Sequence, residues 1–67
     1  MWTVVYIAQS KDIAERLRNA LESANLLVMV RNAQNDKINS QTGTCFEVLV
    51  PDAEIQQAHD IIIDLDF

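Results

Sequence analysis

One amphipathic helical stretch lies between two strand-like runs, and this arrangement constrains the chain more than any other feature. From Lys11 to Ala24 the residues Ile13, Ala14, Leu17, Ala20, Leu21 and Ala24 fall on one stripe. Glu15, Arg18, Asn19 and Glu22 lie outside it, the pattern of a helix with one buried side. Before it, Trp2 to Ala8 (WTVVYIA) is rich in β-branched and aromatic residues and reads as a strand. After it, Leu26 to Arg31 (LLVMVR) reads as a second strand. Ser10 is placed to cap the helix, and Asp12 adds negative charge to its first turn. Asn25 stands where a left-handed residue would end it.

A third strand is expected at Thr44 to Val50 (TCFEVLV), with Gly43 as punctuation before it and Pro51 stopping it. Asp52 is then placed to cap a second helix. Ile55, Ala58, Ile62 and Leu65 recur there at helical spacing, Ile61 widens the stripe, and Asp60 and Asp64 lie off it. The order is β-α-β-β-α in one domain, residues 1–67. Two strands joined through a helix suggest a right-handed split β-α-β unit with the third strand inserted between them. The expected class is α+β: a half-open sandwich with two helices on one face of a three-stranded antiparallel sheet.

Strand side chains alternate between faces. Thr3, Val5, Ile7, Leu26, Val28, Val30, Phe46, Val48 and Val50 are assigned to the helix side. The other face then receives Trp2, Val4, Tyr6, Leu27, Met29, Cys45, Glu47 and Leu49. A sheet covered on one side should be polar on the other. Either this small sheet simply exposes apolar surface, or Trp2, Val4, Tyr6, Leu27, Met29 and Leu49 form the face of an oligomer. Little chain remains after the second helix to supply a flanking strand, so the first strand is also a candidate open edge.

Size favours the oligomer. A chain of 67 residues is near the lower limit for folding alone, and a core of that size supplies roughly 3–5 kcal/mol. Small proteins often add disulfides, a metal or self-association. Cys45 is the only cysteine, so no internal disulfide can form, and there is neither a CxxC nor a His pair for zinc. The formal charge of −5 opposes binding to phosphate backbones, so nucleic acid is not an expected partner. Lys11, Arg16 and Arg18 are interleaved with Asp12, Glu15 and Glu22, a mixed-charge surface and not a basic patch. Met1 is followed by no signal-peptide pattern, and no apolar run approaches the ~20 residues of a membrane span. A cytoplasmic protein with a reduced cysteine and no membrane partner is the simplest expectation.

Between the second and third strands lies RNAQNDKINSQTGT, Arg31 to Thr44, almost wholly polar. Residues VVYIAQSKDIAERLRNALESANLLVMVRN together with FEVLVPDAEIQQAHDII resemble the small prokaryotic signal-transducing protein family known as domain of unknown function 2007. The VLVP–acid turn, Val48 to Asp52, and the pair Ala14–Glu15 are the more specific parts. The resemblance implies a ferredoxin-like, PII-like fold, in which a loop between the second and third strands engages target proteins. By that analogy Asn32, Gln34, Asn35, Asp36, Lys37, Ile38, Asn39, Ser40, Gln41 and Thr42 form a partner-binding loop. This tract lacks the Tyr that is modified in PII, and Gly43 is the chain's only glycine, so the ATP-holding residues of PII have no counterpart. Asn25 stands where the family usually has Gly.

The remaining chemistry is sparse. His59, the only histidine, falls near the edge of the second helix's stripe and reads as a boundary residue. Cys45 has no positive neighbour in sequence to activate it, so packing is its expected role. NAQNDKINS has one carboxylate, Asp36, and lacks EF-hand spacing. Asp60, Asp64 and Asp66 read as a solvated helix face and chain end. No nucleophile–base pair or phosphate-cradling loop is present, so no enzymatic activity, cofactor or metal is expected. Two functions remain open: a regulatory adaptor that presents the polar loop to an unidentified protein from a homo-oligomeric scaffold, or a sensor binding an amino acid or nucleotide at a subunit interface.

Overall fold

The structure, a computed structural model, describes residues 1–34 and 44–66. Strand β1 (Trp2–Ala8) leads to helix α1 (Lys11–Ser23), then strands β2 (Met29–Gln34) and β3 (Thr44–Pro51). A short 3-10 turn, Asp52–Glu54, opens into helix α2 (Ile55–Leu65). The sheet order is β1-β3-β2, and β3 is antiparallel to both neighbours. The third strand therefore lies between the first two, as the split β-α-β reading expects. The architecture is α+β and compatible with a small ferredoxin-like fold.

Helix α1 begins and ends as its sequence prescribes. Ser10 is extended and its Oγ accepts from the Ile13 N–H at 3.2 Å. At the other end Asn25 has φ 69°, and two N–H groups turn back to the last turn: Asn25 to the Glu22 carbonyl at 2.9 Å and Leu26 to the Leu21 carbonyl at 3.2 Å. This paired arrangement is the Schellman motif. Its accompanying apolar contact joins Leu21 and Leu26, both in the buried cluster. Ser10→Ala should cost about 0.5–2 kcal/mol, read as a lowered urea midpoint with an unchanged slope.

The core sits between the helices and one face of the sheet. Ala14, Leu17 and Leu21 of α1 and Ala58 of α2 close on Val48 and Val50 of β3, with Ala8 and Leu26 at the margins. Val5, Tyr6, Val28, Val30, Phe46, Ile55, Ile61 and Ile62 pack against this cluster. Among the described residues no buried side-chain nitrogen or oxygen lacks a hydrogen-bond partner.

Several expected positions are corrected. In β1, Val4 opposes Leu49 and Tyr6 opposes Val48, so Val5 is an extra residue, a β-bulge. Val5 and Tyr6 both pack on the helix side, and the alternation reverses beyond them. Tyr6 therefore leaves the open face, to which it had been assigned, and Ile7 takes its place at 57% exposure. Strand β2 starts at Met29, not Leu26, because Leu26 belongs to the Schellman turn. It runs on through Asn32 and Gln34, which pair with Phe46 and Thr44 and so are strand residues and not loop residues. Backbone pairing is indifferent to their polarity. Asp52 does not cap α2: no side chain caps the 3-10 turn or the helix, and the Asp52 carboxylate instead accepts from the Thr3 hydroxyl. The apolar stripe of α2 ends at Ile62, since Leu65 is exposed. Asn35, Asp36, Lys37, Ile38, Asn39, Ser40, Gln41 and Thr42 lie outside the described residues.

Candidate interaction surface

Cross-strand registry builds the side of the sheet away from the helices row by row. Trp2 lies opposite Pro51. The next row is Val4, Leu49 and Met29, across all three strands. Then come Ile7, Glu47 and Arg31, and finally Cys45 opposite Ala33. Leu49 occupies the central strand and is only 3% exposed, although it is not part of the helix-side cluster. Around it Trp2, Val4, Ile7 and Met29 are all exposed, as is Leu27, at 62%, ahead of β2. A solvated face of an antiparallel sheet is ordinarily polar, so this apolar area is the site's defining property.

One ion pair interrupts it. Arg31 places Nε and Nη2 at 2.8 and 2.6 Å from Glu47 Oε1. The two residues are directly opposed in registry, and the pair ties edge strand β2 to the centre. Arg31 is more than half exposed, so solvent screens the attraction. Arg31→Ala should therefore lower stability by only about 0.2–1 kcal/mol in chemical denaturation.

The Trp2–Leu27 end of this surface is fixed by the turn that follows β3. The Asp52 N–H donates to the Met1 carbonyl at 2.9 Å, and its carboxylate holds the Thr3 hydroxyl. Glu54 Oε1 accepts from the Leu27 N–H at 3.0 Å. Two acidic side chains of one short turn thus anchor the start of β1 and the approach to β2.

Of the residues assigned to the open face, Trp2, Val4, Met29 and Leu49 share it by registry and Leu27 is exposed just ahead of β2, while Tyr6 packs on the helix side. Ile7 is the residue that sequence reasoning missed. Every residue from Val4 to Ile7 is aliphatic or aromatic, so no charged or small polar residue marks where the alternation slips. The candidates on α2 stay apart from the surface, while Cys45 lies at its far end. His59 is exposed on α2, and Asp60, Asp64 and Asp66 form its solvated side and end. Cys45 is half-buried, its Sγ 3.4 Å from the Ala33 carbonyl, to which the thiol donates. Among the described residues no group of three His, Cys, Asp or Glu side chains converges to hold a metal. No helix there is long and apolar enough to cross a membrane. No family model, curated protein or solved structure matches this chain.

Proposed function

We propose that this chain is a non-enzymatic regulatory protein of the PII-like, ferredoxin-like kind, which acts by binding another protein. Residues 35–43, between β2 and β3 in sequence, are its recognition segment, carried on a self-associating scaffold. The observation that carries this reading is the apolar open side of the sheet, a surface suited to protein contact. The strand registry supports it: β2 and β3 are paired antiparallel up to Gln34 and Thr44, the positions that flank the polar tract in sequence.

The test is replacement of residues 35–43 by a two-residue Asn-Gly turn. The core and the described strand registry are built without those residues, so the shortened protein should keep its far-UV spectrum and its melting temperature within a few degrees. It should lose capture of the partner that the full chain retains from its native cells. Equal capture by both forms would reject the recognition segment. Stabilisation by several degrees from one member of an amino-acid and nucleotide panel would replace this function with that of a sensor.

A further inference from the structure

We propose that the open side of the sheet is the contact between two copies of this chain, packed sheet to sheet in a four-layer α-β-β-α dimer. This deepens the scaffold part of the functional reading and rests on it. Its test reads mass and not partner capture, so the two can fail separately.

Charge distribution selects a second copy. An isologous contact sets a surface against itself, so any net charge on it repels across the two-fold axis. The chain carries −5 overall, yet the strand positions on the open side hold one cation, Arg31, and one anion, Glu47, already paired. The excess carboxylates lie elsewhere. On α1 Asp12, Glu15 and Glu22 are balanced by Lys11, Arg16 and Arg18, while Asp52, Glu54, Asp60, Asp64 and Asp66 follow β3 with no Lys or Arg among them. Two copies meeting through their α2 helices would bring those acidic groups together. Meeting through the open side keeps Asp60, Asp64 and Asp66 on the outer layers, while Asp52 and Glu54 sit at the end of the face, engaged with Thr3 and the Leu27 N–H.

Composition points the same way. The surface is apolar at its centre, with Trp, Met and Arg, the types enriched in protein interfaces. Paired sheets with interdigitating apolar faces form a standard two-sheet core. Strand β1 has seven residues, and three strands at ~4.8 Å spacing and ~3.3 Å rise per residue give a footprint of about 23 by 14 Å. Two such faces make about 650 Å² of flat footprint; accessible area exceeds this, but the contact falls below the ~1,200 Å² of standard specific interfaces, in the range of weak, transient ones. A contact that small should be a weak one, so the association should depend on concentration in the micromolar range and above.

Sedimentation of the full chain across roughly 1–300 µM should show its mass rise from 7.6 kDa toward twice that value. Added salt should strengthen the association by screening repulsion between the outer layers. Ile7→Lys and Met29→Lys, at exposed positions on the two edge strands of the face, should each weaken it at least about tenfold. Ile63→Lys, on the exposed side of α2, should leave it unchanged. Dilution of the labelled wild type should move the amide signals of Ile7, Leu27 and Met29 and not those of α2, a result that needs no variant to fold. A wild type that stays at 7.6 kDa throughout overturns the proposal. So does association that survives both open-face substitutions. Sensitivity to Ile7→Lys alone also overturns it, because that is the result of pairing through the β1 edge.

Discussion

Leu21→Ala should leave much of the protein unfolded at 25 °C. Leu21 is fully buried on α1, and it serves two structures at once. It packs in the cluster with Leu17, Val48 and Val50, and it is the apolar partner of Leu26 across the Schellman turn. Truncation of a buried leucine costs about 2–5 kcal/mol, because transfer energy is lost and the surrounding residues close the cavity only in part. A core of this size supplies roughly 3–5 kcal/mol in all. The two ranges overlap, so the variant should show a far-UV spectrum with a large unfolded fraction before denaturant is added. Loosening the turn also loosens the approach to β2, and Leu21→Ala should therefore lose amide protection at Leu26 as well as in α1. A variant that melts within a few degrees of wild type would show that the helix end, and not Leu21, carries the core.

The second large effect separates two neighbouring residues that a simple alternation would place the other way round. Tyr6→Lys should destabilise the fold severely, and Ile7→Lys should leave it standing. Tyr6 opposes the buried Val48 and packs against the core, so a lysine there puts an ammonium group against apolar side chains or forces its own displacement. The expected loss is about 2–4 kcal/mol, the range of core disruption and unpaired polar burial. Ile7 is 57% exposed, and a lysine there keeps its charge in water along the sheet surface. The change should stay within about 1 kcal/mol. Urea unfolding of the two variants side by side reads the bulge directly. If Ile7→Lys proved the more damaging, the alternation in β1 would be regular and the face assignment would revert.

Sequence alone determined whatever depends on local pattern. The stripe from Ile13 to Leu21, the Ser10 cap and the left-handed Asn25 are each set within one or two helical turns. The helix they define is found at Lys11–Ser23. The order β-α-β-β-α follows from the same local signals; the helix between the first two strands only suggested the insertion of β3, which the pairing of β3 with both neighbours decides. The open face of β3, with Leu49 and Glu47, was equally legible, because a regular strand has a fixed period of two.

Tertiary structure decided what local pattern leaves degenerate. In β1 the run Val4-Val5-Tyr6-Ile7 satisfies either face in either register, since all four side chains are aliphatic or aromatic and suit a strand on either side. Only pairing with β3 sets the bulge at Val5, turns Tyr6 inward and turns Ile7 outward. The start of β2 was degenerate in the same way: Leu26 suits a strand, yet its N–H is taken by the Leu21 carbonyl and its side chain by the core. Asp52 has the side chain of a helix cap, but a carboxylate goes to whichever donor the fold brings to it. Here that donor is Thr3, a neighbour only because β1 pairs with β3. In each case the residue types permitted two local solutions of similar energy, and contacts distant in sequence selected one.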